Sequence, residues 1–115
     1  MKTRDIGNFG EDIAKAYLEK KGYTLIDRNY SSSFGEIDLI MNKGEVLVFI
    51  EVKLRKNSDF GRPRDFVTSS KQKKILKTAL TYMSKKQLQE LQPRFDVVEI
   101  LTDNNYIEHI ENAFP

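Results

Sequence analysis

The stretch Val46-Leu47-Val48-Phe49-Ile50-Glu51-Val52-Lys53-Leu54 constrains the fold more than any other part of the sequence. It is the most apolar run in the chain and rich in β-branched residues. It therefore reads as a strand near the middle of a sheet. Alternation along a strand sends Val46, Val48, Ile50 and Val52 one way and Leu47, Phe49, Glu51 and Lys53 the other. The first face is wholly apolar. The second begins apolar and ends in a carboxylate and an ammonium. An unpaired charge at a core edge costs on the order of several kcal/mol or is neutralised by a pKa shift. A central strand ending in this way needs a partner for those charges, or a use for them.

The preceding segment offers one. Asn42-Lys43-Gly44 is a turn signal, so Glu36 to Met41 forms the other arm of a hairpin. Alternation places Glu36, Asp38 and Ile40 on one face, with Ile37 and Leu39 on the other. The available registers set Asp38 opposite Phe49 or Glu51, and either puts it on the face of Glu51 and Lys53. Cross-strand neighbours are roughly 5 Å apart, and diagonal ones about 7–8 Å. Asp38, Glu51 and Lys53 can therefore line one small site. Acid-x-Lys is a weak signal by itself, since Glu19-Lys20-Lys21 repeats it at a helix end. An ion pair of Lys53 with Glu51 or Asp38, without catalysis, accounts for the same residues.

Around this hairpin the periodicity changes. Ile6, Phe9, Gly10, Ile13, Ala14, Tyr17 and Leu18 recur at helical spacing, and Gly22 after Lys20-Lys21 is a stop. Glu11 borders the apolar stripe of this helix, where it can lean toward the sheet or simply complement the helix dipole. Tyr23 to Asn29 reads as a strand and Tyr30 to Gly35 as a polar loop. Arg55 to Thr68, with Gly61 and Pro63, reads as a loop. Ser69 or Ser70 can cap a second helix with apolar stripe Ile75, Leu76, Ala79, Leu80 and Met83, and with Lys73, Lys74 and Lys77 outward. A helical extension to Leu91 is expected, ended by Pro93. Strands follow at Phe95 to Leu101 and Tyr106 to Ile110. The expected fold is α/β, in the order α-β-β-β-α-β-β. A mixed four- to five-stranded sheet is flanked by helices within one domain spanning residues 1–115.

The net charge of +2 hides a polarised distribution. Arg55 to Lys86 holds ten basic and two acidic residues, and the remainder is net acidic. This suits a polyanion on one side, although Lys-rich helices are also ordinary solvated faces. Absence of Cys excludes a disulfide framework and thiolate metal sites. Met1-Lys2-Thr3-Arg4-Asp5 leads into polar sequence rather than an apolar signal core, and no run is long enough to cross a bilayer as a helix. A cytoplasmic protein without a membrane partner is expected.

Gly35-Glu36-Ile37-Asp38-Leu39-Ile40 together with Phe49-Ile50-Glu51-Val52-Lys53 resembles the YraN-like family of small bacterial proteins. Gly10-Glu11 with Ala14 and Leu18, Asn29, Lys71-Gln72, Arg94-Phe95-Asp96-Val97 and Asn112-Ala113-Phe114 extend the resemblance over nearly the whole chain. That family in turn resembles archaeal Holliday-junction resolvases and the PD-(D/E)-x-K nucleases, which implies a restriction-endonuclease-like core. One departure is Ile37 where the superfamily motif has Pro. The resemblance implies catalytic roles for Glu11, Asp38, Glu51 and Lys53. It implies Mg²⁺ or Mn²⁺ held by Asp38, Glu51 and the Val52 carbonyl. Arg55, Arg62, Arg64, Lys71, Gln72 and Lys74 would contact nucleic acid. The implied activity is a metal-dependent endonuclease on DNA, with branched or damaged DNA among its substrates and a homodimer by analogy. A binding module that keeps the fold with little activity, or a protein-assembly partner, are the alternatives. Tyr30, Phe34 and Phe60 are candidates for base stacking, or else cover a core edge. His109 and Arg94 read as structural.

Overall fold

The computed structural model describes residues 3–57, 59 and 67–114, with side chains from Asn8 onward. Helix α1 (Thr3–Lys20) precedes strands β1 (Thr24–Ser31), β2 (Glu36–Lys43) and β3 (Val46–Arg55). Helix α2 (Ser69–Lys85) then leads to β4 (Gln92–Leu101) and β5 (Tyr106–Ile110). The strands form one sheet in the order β1-β2-β3-β4-β5, so β3 is central, as its apolar run requires. Neighbours are antiparallel except β3 and β4, which are parallel and joined by the crossover through α2.

Each face of the sheet is covered by one helix. Leu47 and Phe49 pack with Ile75, Ala79 and Tyr82 of α2, while Val48 and Ile50 pack with Ala14 and Leu18 of α1. The alternation of β3 thus divides its side chains as expected. Gly10 lets α1 come close to β3: a Cβ there would lie 3.3 Å from the Leu54 Cβ. Gly44, at a positive φ of 61°, closes the two-residue turn between Lys43 and Val46.

Several local expectations are corrected. Helix α2 buries Ile75, Thr78, Ala79, Tyr82 and Met83, whereas Leu76 and Leu80 are exposed. The helix is rotated from its most apolar arc because Tyr82 fills the space against Phe49 and Tyr30. Its N-cap is Thr68, whose side chain accepts from the Lys71 N–H, rather than Ser69 or Ser70. Phe9 is exposed rather than part of the α1 stripe. No helical extension reaches Leu91, and Pro93 lies inside β4. Pro93 is tolerated because β5 pairs with β4 only from Val97 onward, so no second neighbour needs its missing N–H.

The hairpin β1–β2 departs most from regularity. Ile37 and Ile40, three residues apart, both pack in the α2-side cluster. On β1, Tyr30 packs against Tyr82 from α2, and β1 runs past Asn29 to Ser31 where a loop was expected. Asn29 sits at φ 53°, a left-handed conformation that Asn adopts more readily than most residues. It lies between the pairs Arg28–Leu39 and Tyr30–Ile37, level with Asp38. Strict alternation therefore fails at Asp38 itself.

Candidate active site

The regular β2–β3 ladder ends at the pair Leu39–Ile50. One step further, Asp38 and Glu51 stand opposite each other. The Asp38 carboxylate accepts the Val52 N–H at 2.8 Å, so a side chain takes over where the ladder stops. Val52 therefore meets Asp38 through its N–H. Glu51 is 9% exposed and turns toward α2, where Lys71 Nζ lies 3.3 Å from its Oε2. Its Oε1 is buried and has no hydrogen-bond partner among the described residues. Asp38, Glu51, Lys71 and Lys74 line an open cleft of about 380 Å³, with Gly35 and Glu36 at its rim.

Electrostatics single out these two acids. Burial pushes the Asp38 carboxyl up to about 6, against the Val52 N–H that favours its charged form. Burial also pushes Glu51 up to about 8, reinforced by the Asp38 charge and opposed by Lys71. Two carboxylates facing each other in a half-dry site resist double ionisation, so the pair keeps a proton at neutral pH. A cation of higher charge than an ammonium would displace that proton. The donor set fits a hard divalent ion that keeps most of its waters and needs one or two carboxylates: two acids face each other, one oxygen has no partner among the described residues, and the lysine is half exposed. Among the described residues no group of three or more acidic or His side chains is arranged to hold a metal.

The remaining sequence-expected residues divide. Glu11 is 6% exposed and near enough to raise the Asp38 pKa, yet its carboxylate is paired with Arg28 at 3.3 Å and it does not line the cleft. Arg28 also contacts Asp12 at 2.7 Å and the Asn8 carbonyl at 3.2 Å, tying β1 to α1. The sequence reading missed Arg28. The only available signal is a basic residue in a strand that faces the acidic start of a helix. Lys53 does not line the cleft with Asp38 and Glu51 as expected: it is exposed, two residues beyond Glu51 and level with Glu99 of β4.

Of the expected nucleic-acid contacts, Lys71 is in the cleft itself and Lys74 is exposed at its wall. Gln72 is committed elsewhere, donating to the Val67 carbonyl at 3.0 Å. Arg55 is engaged within the sheet. Its guanidinium is largely buried against Glu99, because the strand carries it along the sheet rather than into the loop beyond. Arg62, Arg64 and Phe60 lie outside the described residues.

A second charge cluster lies on the α1 face. Asp96 is fully buried and accepts from Arg94, His109 and the Asn112 N–H at 2.7–3.0 Å. Arg94 also reaches the Tyr23 hydroxyl at 2.6 Å and Glu111 at 3.8 Å. His109 and Arg94 thus have the structural partners expected of them.

A profile of the uncharacterised protein family UPF0102 matches residues 10–100. A UPF0102 protein of Clostridium beijerinckii is 45% identical over 116 aligned positions, covering 97% of this chain and 94% of its own. One from Dictyoglomus turgidum is 42% identical, with 99% and 100% covered, and one from Vibrio parahaemolyticus is 43% identical, with 96% and 92% covered.

Proposed function

The chain belongs to the uncharacterised protein family UPF0102, the YraN-like family its motifs resemble, and from its cleft we propose a metal-dependent endonuclease acting on DNA. The observation that carries this reading is the Asp38–Glu51 pair, with a Glu51 Oε1 that has no partner among the described residues and with raised pKa values, in an open cleft walled by Lys71 and Lys74. A purely structural acid is paired to saturation, as Asp96 is. Glu51 is not.

Asp38 and Glu51 would hold Mg²⁺ or Mn²⁺, with the Val52 carbonyl as a further donor. When bound, the ion would supply charge neutralisation at the phosphate and a water of lowered pKa. Asp38 is fixed for this by the Val52 N–H, which removes most of its freedom to rotate. Lys71 rests 3.3 Å from Glu51 Oε2 in the metal-free protein and, once released, is free to turn to a phosphate oxygen. Lys74 and the outward lysines of α2 supply contacts to the backbone that carry no sequence preference. Lys53 would stabilise charge developing at the scissile phosphate. Glu11 positions rather than ligates: its charge is held by Arg28 and biases the protonation of Asp38.

The test is cleavage of linear, single-stranded, flapped and four-way DNA with Mg²⁺ or Mn²⁺, with Asp38→Asn as control. Divalent-dependent cutting lost in Asp38→Asn is the expected result. No cutting of any of these substrates, with the metal bound, would leave a binding module instead. Lys53→Met should lower the cleavage rate by on the order of a hundredfold. Its stability should change by less than about 1 kcal/mol, because Lys53 is exposed and a contact at the surface is worth little. A strongly destabilised Lys53→Met protein that still cuts at the wild-type rate would make Lys53 a structural residue.

A further inference from the structure

Immediately beside the cleft, the β1–β2 turn presents an aromatic ring to solvent. Phe34 is 45% exposed, and with Ser33 it shares a surface pocket with Lys73, Lys74 and Lys77 of α2. Lys74 belongs to both this pocket and the Asp38–Glu51 cleft, and Gly35-Glu36 continue directly from Phe34 to the cleft rim. Lys77 Nζ lies 5.5 Å from the Phe34 ring centroid.

The turn is braced. Ser32 N donates to the Gly35 carbonyl at 2.8 Å, Phe34 N donates to Ser32 Oγ at 3.1 Å, and Ser32 Oγ lies 3.0 Å from Thr78 Oγ1 of α2. Gly35 packs on the same helix, where a Cβ would sit 3.6 Å from the Lys74 Cβ. The backbone under Phe34 is thus fixed while its ring is left out of the core. A large apolar ring held in water among three ammonium groups is poorly placed for packing. It is well placed for a flat aromatic ligand carrying negative charge.

We propose that Phe34 is a stacking platform for one unpaired base of single-stranded nucleic acid, with Lys73, Lys74 and Lys77 holding the adjoining phosphates as the strand enters the cleft. The proposal rests on the reading of the cleft as a phosphodiester site, and it specifies the substrate as a strand with an unpaired nucleotide next to the cut. Bases inside a duplex are stacked on both sides and offer no free face to the ring. An unpaired base does, and stacking of this kind is tolerant of sequence.

The chain has no Trp, so Phe34→Trp introduces a single fluorescent reporter. The measurement is made in chelator, where no metal-dependent cutting occurs. A single-stranded oligonucleotide should quench the emission. An abasic strand of equal charge and a blunt duplex should not. Phe34→Ala should bind single strands roughly ten- to a hundredfold more weakly and the duplex unchanged, with Phe34→Tyr restoring the wild-type affinity. Absence of quenching, equal quenching by the duplex, or wild-type single-strand affinity in Phe34→Ala overturns the proposal. Quenching without any cleavage in Mg²⁺ keeps the subsite and removes the nuclease. Cleavage without quenching does the reverse.

Discussion

Glu51→Gln should stabilise the metal-free protein, and more so as the pH rises. The folded Glu51 carboxyl is pushed up to about 8 from the ordinary 4.5, first by burial and then by Asp38. Between those two values the folded state binds more protons than the unfolded state. Stability conferred by the neutral acid is therefore present at low pH and is lost as pH rises through the folded value. Each pKa unit corresponds to roughly 1.4 kcal/mol. Allowing for the lost contact with Lys71, the variant should gain on the order of 2–4 kcal/mol at pH 8 and less than about 1 kcal/mol at pH 5. For a domain of this size that is roughly a 10 °C rise in melting temperature at the higher pH.

Divalent metal should reverse the ranking. Mg²⁺ or Mn²⁺ would bind the deprotonated pair, so it should stabilise the wild type at pH 8, release protons on binding, and leave Glu51→Gln unaffected. Thermal melts at both pH values, with and without metal, give the answer. A Glu51→Gln protein that is destabilised equally at pH 5 and pH 8, with a wild type blind to metal, would reduce Glu51 to the partner of Lys71.

Asp96→Asn should behave in the opposite way, losing about 3–5 kcal/mol, the usual cost of breaking a buried charge pair from one side. Burial tends to raise the Asp96 pKa, but hydrogen bonds from His109, Arg94 and Asn112 outweigh it and hold the carboxyl below its ordinary range. A depressed carboxylate stabilises above its unfolded pKa, and this contribution disappears as pH falls through the folded value. The wild type should therefore lose stability in acid, below about pH 4, while the variant loses much of that dependence. Chemical denaturation at pH 7 and pH 3 measures both. A loss under about 1 kcal/mol at pH 7 would mean that Arg94 and His109 find other partners. Because Asp96 lies on the face covered by α1 and Glu51 faces α2, folded Asp96→Asn protein should keep its divalent-ion response.

These two acids show how much was legible in the sequence. Glu51 stood out because it ends the most apolar strand, and Asp38 because both registers open to the short turn put it on the face of Glu51. Both inferences use spacing alone. Asp96, in a strand of similar apolarity, carries the same local signal. What separates them is the number of donors around each carboxylate: Arg94, two residues from Asp96, is local, but the others come from β5, the segment after it and α2, far away in sequence. Arg28 on Glu11 and Glu99 on Arg55 were hidden for the same reason, since each pair joins separate elements.

By itself the sequence determined the order of elements, the central place of β3, a mixed sheet flanked by helices, and the choice of two registers that put Asp38 on the face of Glu51, between which the structure decided. Period two and period 3.6 are local properties that survive any packing. The tertiary structure alone decided the rotation of α2 onto Thr78 and Tyr82, and the break in alternation at Asn29 and Asp38. It also decided the commitment of Arg55 to Glu99 and the oxygen of Glu51 left without a partner among the described residues. Each of these depends on volume and on hydrogen-bond supply at one point in space, which a one-dimensional pattern does not encode.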